Sequence, residues 1–126
     1  MTDRAAPLLV LAQGAAWEDR YQAVTIAVTA ASLGDPVVLA LFFDPLRRFV
    51  EGRLDEGAPP TAAAAKVGPL AAALEDGRTL GLEVVACETA VRLAGLDPEA
   101  VRGRVDRLAS LPSLWAWARG GRVATF

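Results

Sequence analysis

The chain has 126 residues, enough for one domain that buries about two-thirds of the surface its unfolded form exposes. Hydrophobic residues make up 53% of it, which excludes a disordered tail, and a formal net charge of −2 with dispersed arginines offers no basic stripe to nucleic acid. The absence of histidine excludes imidazole nucleophile pairs and His-containing metal sites, while a single cysteine excludes an internal disulfide, thiolate zinc sites and iron–sulfur clusters.

In chain order, "LLVLA" (residues 8–12) is the first apolar run, too short for a signal peptide. Together with the lone cysteine it sets the expectation of a cytoplasmic protein. A helix follows, because Trp17, Tyr21, Val24, Val28 and Ala31 recur on one stripe of a 3.6-residue period. Glu18 and Asp19 suit the dipole in its first turn, and Gly34 can close it. "VVLALFF" (37–43) is the second strand. Both strands are apolar without alternation, the pattern of parallel strands covered on two faces.

Asp44 is then expected as an N-cap, with Pro45 opening a helix that ends before Gly52. Residues 53–68 carry turn residues and small side chains without a clear period, and are expected to form a loop, in part helical through the Ala run. The Ala-rich stretch 61–74 is broken by Lys66, Gly68 and Pro69, so no membrane span is expected. A helix from Pro69 to about Leu80 turns Leu70, Ala73, Leu74 and Leu80 inward, weakened at Gly77.

"LEVVAC" (82–87) is the third strand. A short helix after it puts Ala90, Leu93 and Ala94 on its buried side, and "DPEAV" repeats the cap-and-proline signal at Asp97–Val101. "RVDRLA" (104–109) fits a weaker strand. Ser110 or Ser113 caps a helix carrying Trp115 and Trp117, two apart and therefore facing nearly opposite ways. "RVATF" ends the chain as an edge strand. Strands alternating with helices predict an α/β fold: residues 1–126 as a single domain, a three-layer α/β/α sandwich with about five mostly parallel strands.

Ligands of open parallel sheets bind at the carboxyl ends of the strands. There the pattern brings together Gln13 and Gly14 after strand one, Phe43 and Asp44 after strand two, and Cys87 with Glu88 after strand three. These are the candidate site residues, with Cys87 as the catalytic group and the other five as pocket lining. Unpaired N–H groups and the dipole of the following helix would favour a thiolate at Cys87. Glu88 opposes this, although Arg92, four residues on, is its natural partner. Position alone leaves open whether Cys87 is reactive or a small apolar residue filling a core. A C-x-x-x-x-R loop cradling an anion is rejected, because "ETAV" should already be helical. Neither GxxxxGK[ST] nor GxGxxG occurs, and no cofactor or metal is expected. Lys66, the one lysine, has no visible pocket to activate it, and an exposed Trp on the last helix would suit an oligomer interface.

"LGLEVVACETAVRLAGLDPEAV" (80–101) resembles the cysteine segment of the DsrE/DsrF-like family, which includes sulfur-relay proteins of the Dsr and Tus systems. "WEDRYQAVTIAVTAASLGDPVVLALFFD" (17–44) and "GRVATF" (121–126) are similar to that family's first helix and second strand, and to its terminal strand. The resemblance implies a parallel α/β fold, a homo-oligomer of the trimer or hexamer kind, sulfur donor and acceptor proteins as partners, and a cysteine that carries sulfur as a persulfide. That role falls on Cys87. The chain departs from the pattern in Ala90, where many members have a small polar residue, and in having none of the histidines that some relay members carry. The expected function is that of a sulfur carrier or sulfurtransferase. The alternative is a non-enzymatic oligomeric scaffold with Cys87 inert, and a one-cysteine peroxide-reducing protein ranks last.

Overall fold

A computed structural model describes residues 5–126. Its elements in chain order are β1 (Leu8–Ala12), α1 (Trp17–Ser32), β2 (Val37–Leu41), α2 (Phe43–Val50), α3 (Pro60–Ala64), α4 (Leu70–Thr79), β3 (Glu83–Cys87), α5 (Glu88–Leu93), α6 (Pro98–Arg102), β4 (Arg107–Ala109), α7 (Leu111–Trp117) and β5 (Arg122–Thr125). The strands form one sheet in the order β4-β3-β2-β1-β5, and every neighbouring pair is parallel. This is the expected α/β sandwich.

The unbroken apolar runs are explained by two cores that share the same strands. Leu8, Val10, Val37, Leu39, Leu41, Val84 and Ala86 face one core, built with α1, α2, α4, α5 and α6. Their alternate neighbours Leu9, Val38, Ala40 and Val85 face a smaller core, closed by Leu114 and Ala118 at α7. The chain steps in one direction from β1 to β4, and right-handed crossovers keep those helices on one face. Only the return from β4 to β5 places a helix on the other.

α1 ends as its sequence requires. Gly34 takes φ +90, and the Gly34 and Asp35 amides donate to the Ala31 and Ala30 carbonyls. Gly77 is buried because α1 packs against α4 there: a Cβ would stand 2.9 Å from Val28 Cγ2. The helix propensity lost at Gly77 is thus the condition for that close packing.

Several boundaries differ from expectation. β2 stops at Leu41, so Phe43 belongs to α2, and the N-cap of that helix is Phe42, not Asp44. Leu80 is the exposed C-cap of α4, and on α5 the inward pair is Ala90 and Val91, leaving Leu93 72% exposed. Six residues make too few turns for a 3.6-residue stripe to be read from apolarity alone. β4 covers only 107–109. Asp106, just before it, accepts from the Val84 amide at 2.7 Å and binds Arg78. Asp97 and Ser110 are N-caps, the former accepting from Glu99 N and the latter from Ser113 N. Trp115 is exposed, and Trp117 packs against the smaller core.

Within 53–68 lies the short helix α3, and its end repeats the hydrogen bonds that end α1. Val67 N donates to Ala62 O and Lys66 N to Ala63 O, with Lys66 at φ +60 where glycine is usual. Left-handed backbone costs a residue with a Cβ about 1–2 kcal/mol, partly offset by the entropy a glycine loses on folding. Lys66→Gly is therefore expected to raise stability by about 0.5 kcal/mol, read from the urea midpoint. A lowered midpoint would show that the Lys66 side chain contributes more than its backbone costs.

Candidate functional site

The carboxyl ends of β1, β2 and β3 lie side by side in the middle of the sheet. After β1, Gln13 and Gly14 are engaged by the end of β5 and the residue after it: both amides donate to Phe126 O, and Gln13 Nε2 donates to Thr125 Oγ1 at 2.9 Å. Gly14 leaves room for Asp19, whose carboxylate would lie 2.2 Å from any Cβ there and accepts from the Ala16 amide. The two residues close the β1–α1 turn onto β5.

After β2 the chain turns sharply. Phe42 N donates to Ala12 O at 2.9 Å, and Phe43 follows at φ +47 with 46% of its surface exposed. An aromatic residue in this conformation carries strain of roughly 1–2 kcal/mol. Asp44 is gripped by two cations, Arg48 Nε at 2.8 Å and Arg20 Nη1 at 3.6 Å.

After β3, Cys87 is the N-cap of α5 with extended backbone, pairs with Ala109 of β4, and is 5% exposed at the edge of the larger core. Glu88 and Thr89 beside it are exposed. Glu88 and Arg92 are both solvated, as a helix face should be, but they form no ion pair. Instead they line a shallow cavity of about 190 Å³ with Val91, Pro98, Arg102 and Leu108. α5 is tied to α2 by Arg47, which donates to Ala94 O.

Sequence reasoning missed Arg20. It is 2% exposed and holds the segment after α2 against α1: Nε donates to Leu54 O at 2.8 Å, Nη1 to Ala15 O at 3.1 Å, and Nη2 to Glu56 O. Burial, and then the neighbouring Arg48, pull its guanidinium below the ordinary value, opposed by Asp44, Glu56 and Asp55. At neutral pH it remains a cation. Its signal was present in the helix pattern: Arg20 is three residues after Trp17 and four before Val24, on the inward stripe, where a charge must find partners. Above it, Glu56 is bound by Arg53 and Arg48, which hold its carboxyl below the usual range.

All six anticipated residues stand at this edge: Gln13 and Gly14 in the turn after β1, Phe43 and Asp44 at the start of α2, Cys87 as the last residue of β3 and Glu88 as the first of α5. Lys66 is exposed at the end of α3, on a different segment. Among the described residues no group of three His, Cys, Asp or Glu side chains could hold a metal ion. No described helix is long and apolar enough to cross a membrane.

No protein-family model matches the chain. No curated protein sequence matches it either. Among solved structures it is similar to the YchN protein from E. coli, with a TM-score of 0.66 over 96% of this chain and 99% of that one, at 18% identity. At that identity the likeness shows the fold alone.

Proposed function

We propose that this protein is a sulfur carrier in which Cys87 receives sulfane sulfur and passes it on as a persulfide. The observation that carries this reading is the position of the chain's one thiol, at the carboxyl end of β3 between the end of β2 and β4. In the reaction, the Cys87 thiolate attacks the outer sulfur of a donor persulfide. A new S–S bond forms at Sγ, the donor's S–S bond breaks, and the donor leaves as a thiolate. A second thiolate then attacks the outer sulfur on Cys87 and restores it, with no net redox change. The chain has no second cysteine, so donor and acceptor thiols both come from other molecules.

A second reading rests on a specific observation. Cys87 is 5% exposed, while Trp115 on α7 is 58% exposed with Leu111 beside it. A homo-oligomeric scaffold with a packed, inert cysteine would use those features directly. The two readings separate in one experiment: alkylation of native protein, then intact mass after exposure to a persulfide donor. The carrier labels without denaturant and gains one sulfur atom, which Cys87→Ser does not. Labelling only after denaturation would overturn the carrier in favour of the scaffold.

A further inference from the structure

α7 is apolar on its outer side as well as its inner one. Leu114 and Ala118 belong to the smaller core, while Leu111 and Trp115, four residues apart, form an outward stripe and are 43% and 58% exposed. The helix itself, Leu111–Trp117, carries no charged residue. A surface helix normally turns polar residues outward, and one that is apolar all round is normally covered all round. Beyond the helix the stripe reaches Arg119, and Leu111, Pro112, Trp115, Ala116 and Arg119 line a groove of about 420 Å³. Arg119 also lines a second groove, of about 350 Å³, with Pro7, Pro36 and Trp117. The edge strand β5 adds Val123, which shares this face of the sheet because it pairs with Leu9, and is 41% exposed.

Charge in this part of the chain is one-sided. All 15 acidic residues precede Arg107, and the only charged side chains in 107–126 are Arg107, Arg119 and Arg122. Arg107 is bound to Glu83, and Arg122 reaches Asp35 at 3.5 Å. Arg119 is exposed and, among the described residues, forms no ion pair. We infer that the outer face of α7 is a docking surface for an acidic, apolar segment of a partner protein. An aliphatic or aromatic side chain of that segment enters the groove beside Trp115, and a neighbouring Asp or Glu pairs with Arg119. Aromatic and arginine side chains are the usual anchors of protein contacts, and an unpaired cation beside them sets the sign of the partner. A second copy of the chain fits poorly, because a two-fold contact through α7 sets Arg119 against its own counterpart with no acid between them. A lipid surface fits poorly too, since firm attachment needs a cluster of basic residues and this face has one free cation. The inference holds whether Cys87 is reactive or inert.

The test is fluorescence anisotropy of a labelled peptide that alternates leucine with glutamate, against a control with glutamine in place of glutamate. The wild-type protein is expected to bind the glutamate peptide more tightly than the control, and less tightly as salt is added. Its Kd is expected to rise about tenfold in Trp115→Ala and about fivefold in Arg119→Glu. Both residues are exposed, so the melting temperature should not move. Lys66→Glu makes the same change of charge on a different segment and should leave the Kd unchanged. Absence of binding, equal affinity for the two peptides, or a Kd indifferent to both variants overturns the inference. So does self-association, read by sedimentation, that Trp115→Ala abolishes, because a second copy then covers the face. Binding to phosphatidylserine vesicles that Trp115→Ala abolishes, with no binding of the peptide, overturns it in favour of a lipid surface.

Discussion

Replacing Arg20 by alanine is expected to destabilise the protein by about 3–5 kcal/mol, because a buried cation leaves several partners without a donor. For a chain of this size that is a melting temperature lower by roughly 10–20 °C. The carbonyls of Leu54 and Glu56 lose their donor, and the segment they belong to loses its attachment to α1. The Leu54 side chain, buried in the larger core, goes with it. Arg20→Lys keeps a charge but gives one ammonium the work of a fork that reaches Ala15, Leu54 and Glu56 together, so an intermediate loss is expected. Thermal melting followed by circular dichroism checks both variants. An alanine variant within about 1 kcal/mol of wild type would mean that solvent replaces the guanidinium at little cost, and the clamp would be discarded.

Gly121→Ala is expected to cost about 2–4 kcal/mol, through a clash and not through backbone strain. A Cβ at this position would lie 2.0 Å from Pro7 O, the carbonyl that accepts from Arg122 N at the start of the β5–β1 pairing. Backbone cannot step aside as a side chain tip can, so β5 would have to move off β1. Gly120 supplies the control. It has φ +81 with nothing within 4 Å of where a methyl group would stand, so Gly120→Ala meets strain without a clash and should cost only about 1 kcal/mol. If chemical denaturation ranks Gly120→Ala as the worse variant, conformational strain governs this turn and the contact with Pro7 does not.

The site's legibility varied with the kind of signal. Cys87 could be placed at a strand end because an apolar run and a helical pattern meet at that residue, and the fold puts it there. Phe43 was expected at the same edge, but as the last residue of a strand. Apolar character cannot tell a strand residue from one in a strained turn, and φ +47 follows from what holds Phe42 and Asp44, not from Phe43 itself. Asp44 beside Pro45 read as a cap because that pairing commonly is one. Two arginines, one of them from α1, claim its carboxylate instead.

By itself the amino-acid sequence determined the α/β class, the three central strands, the cap at Asp97, and the exclusion of histidine and thiolate-cluster chemistry; it narrowed the cap of α7 to Ser110 or Ser113, and the structure chose Ser110. Each of these depends on local periodicity, on a cap or on residue inventory, all of which lie within a few positions of one another or need no geometry. The tertiary structure alone decided that Arg20 is buried, that Leu93 is exposed, that Gly77 and Gly121 are demanded by close approach, and that Phe43 is held beside the Cys87 strand. Those facts depend on partners from 5 to 114 residues away in the chain, such as Ala15 for Arg20 and Pro7 for Gly121, and only the folded sheet brings them into contact.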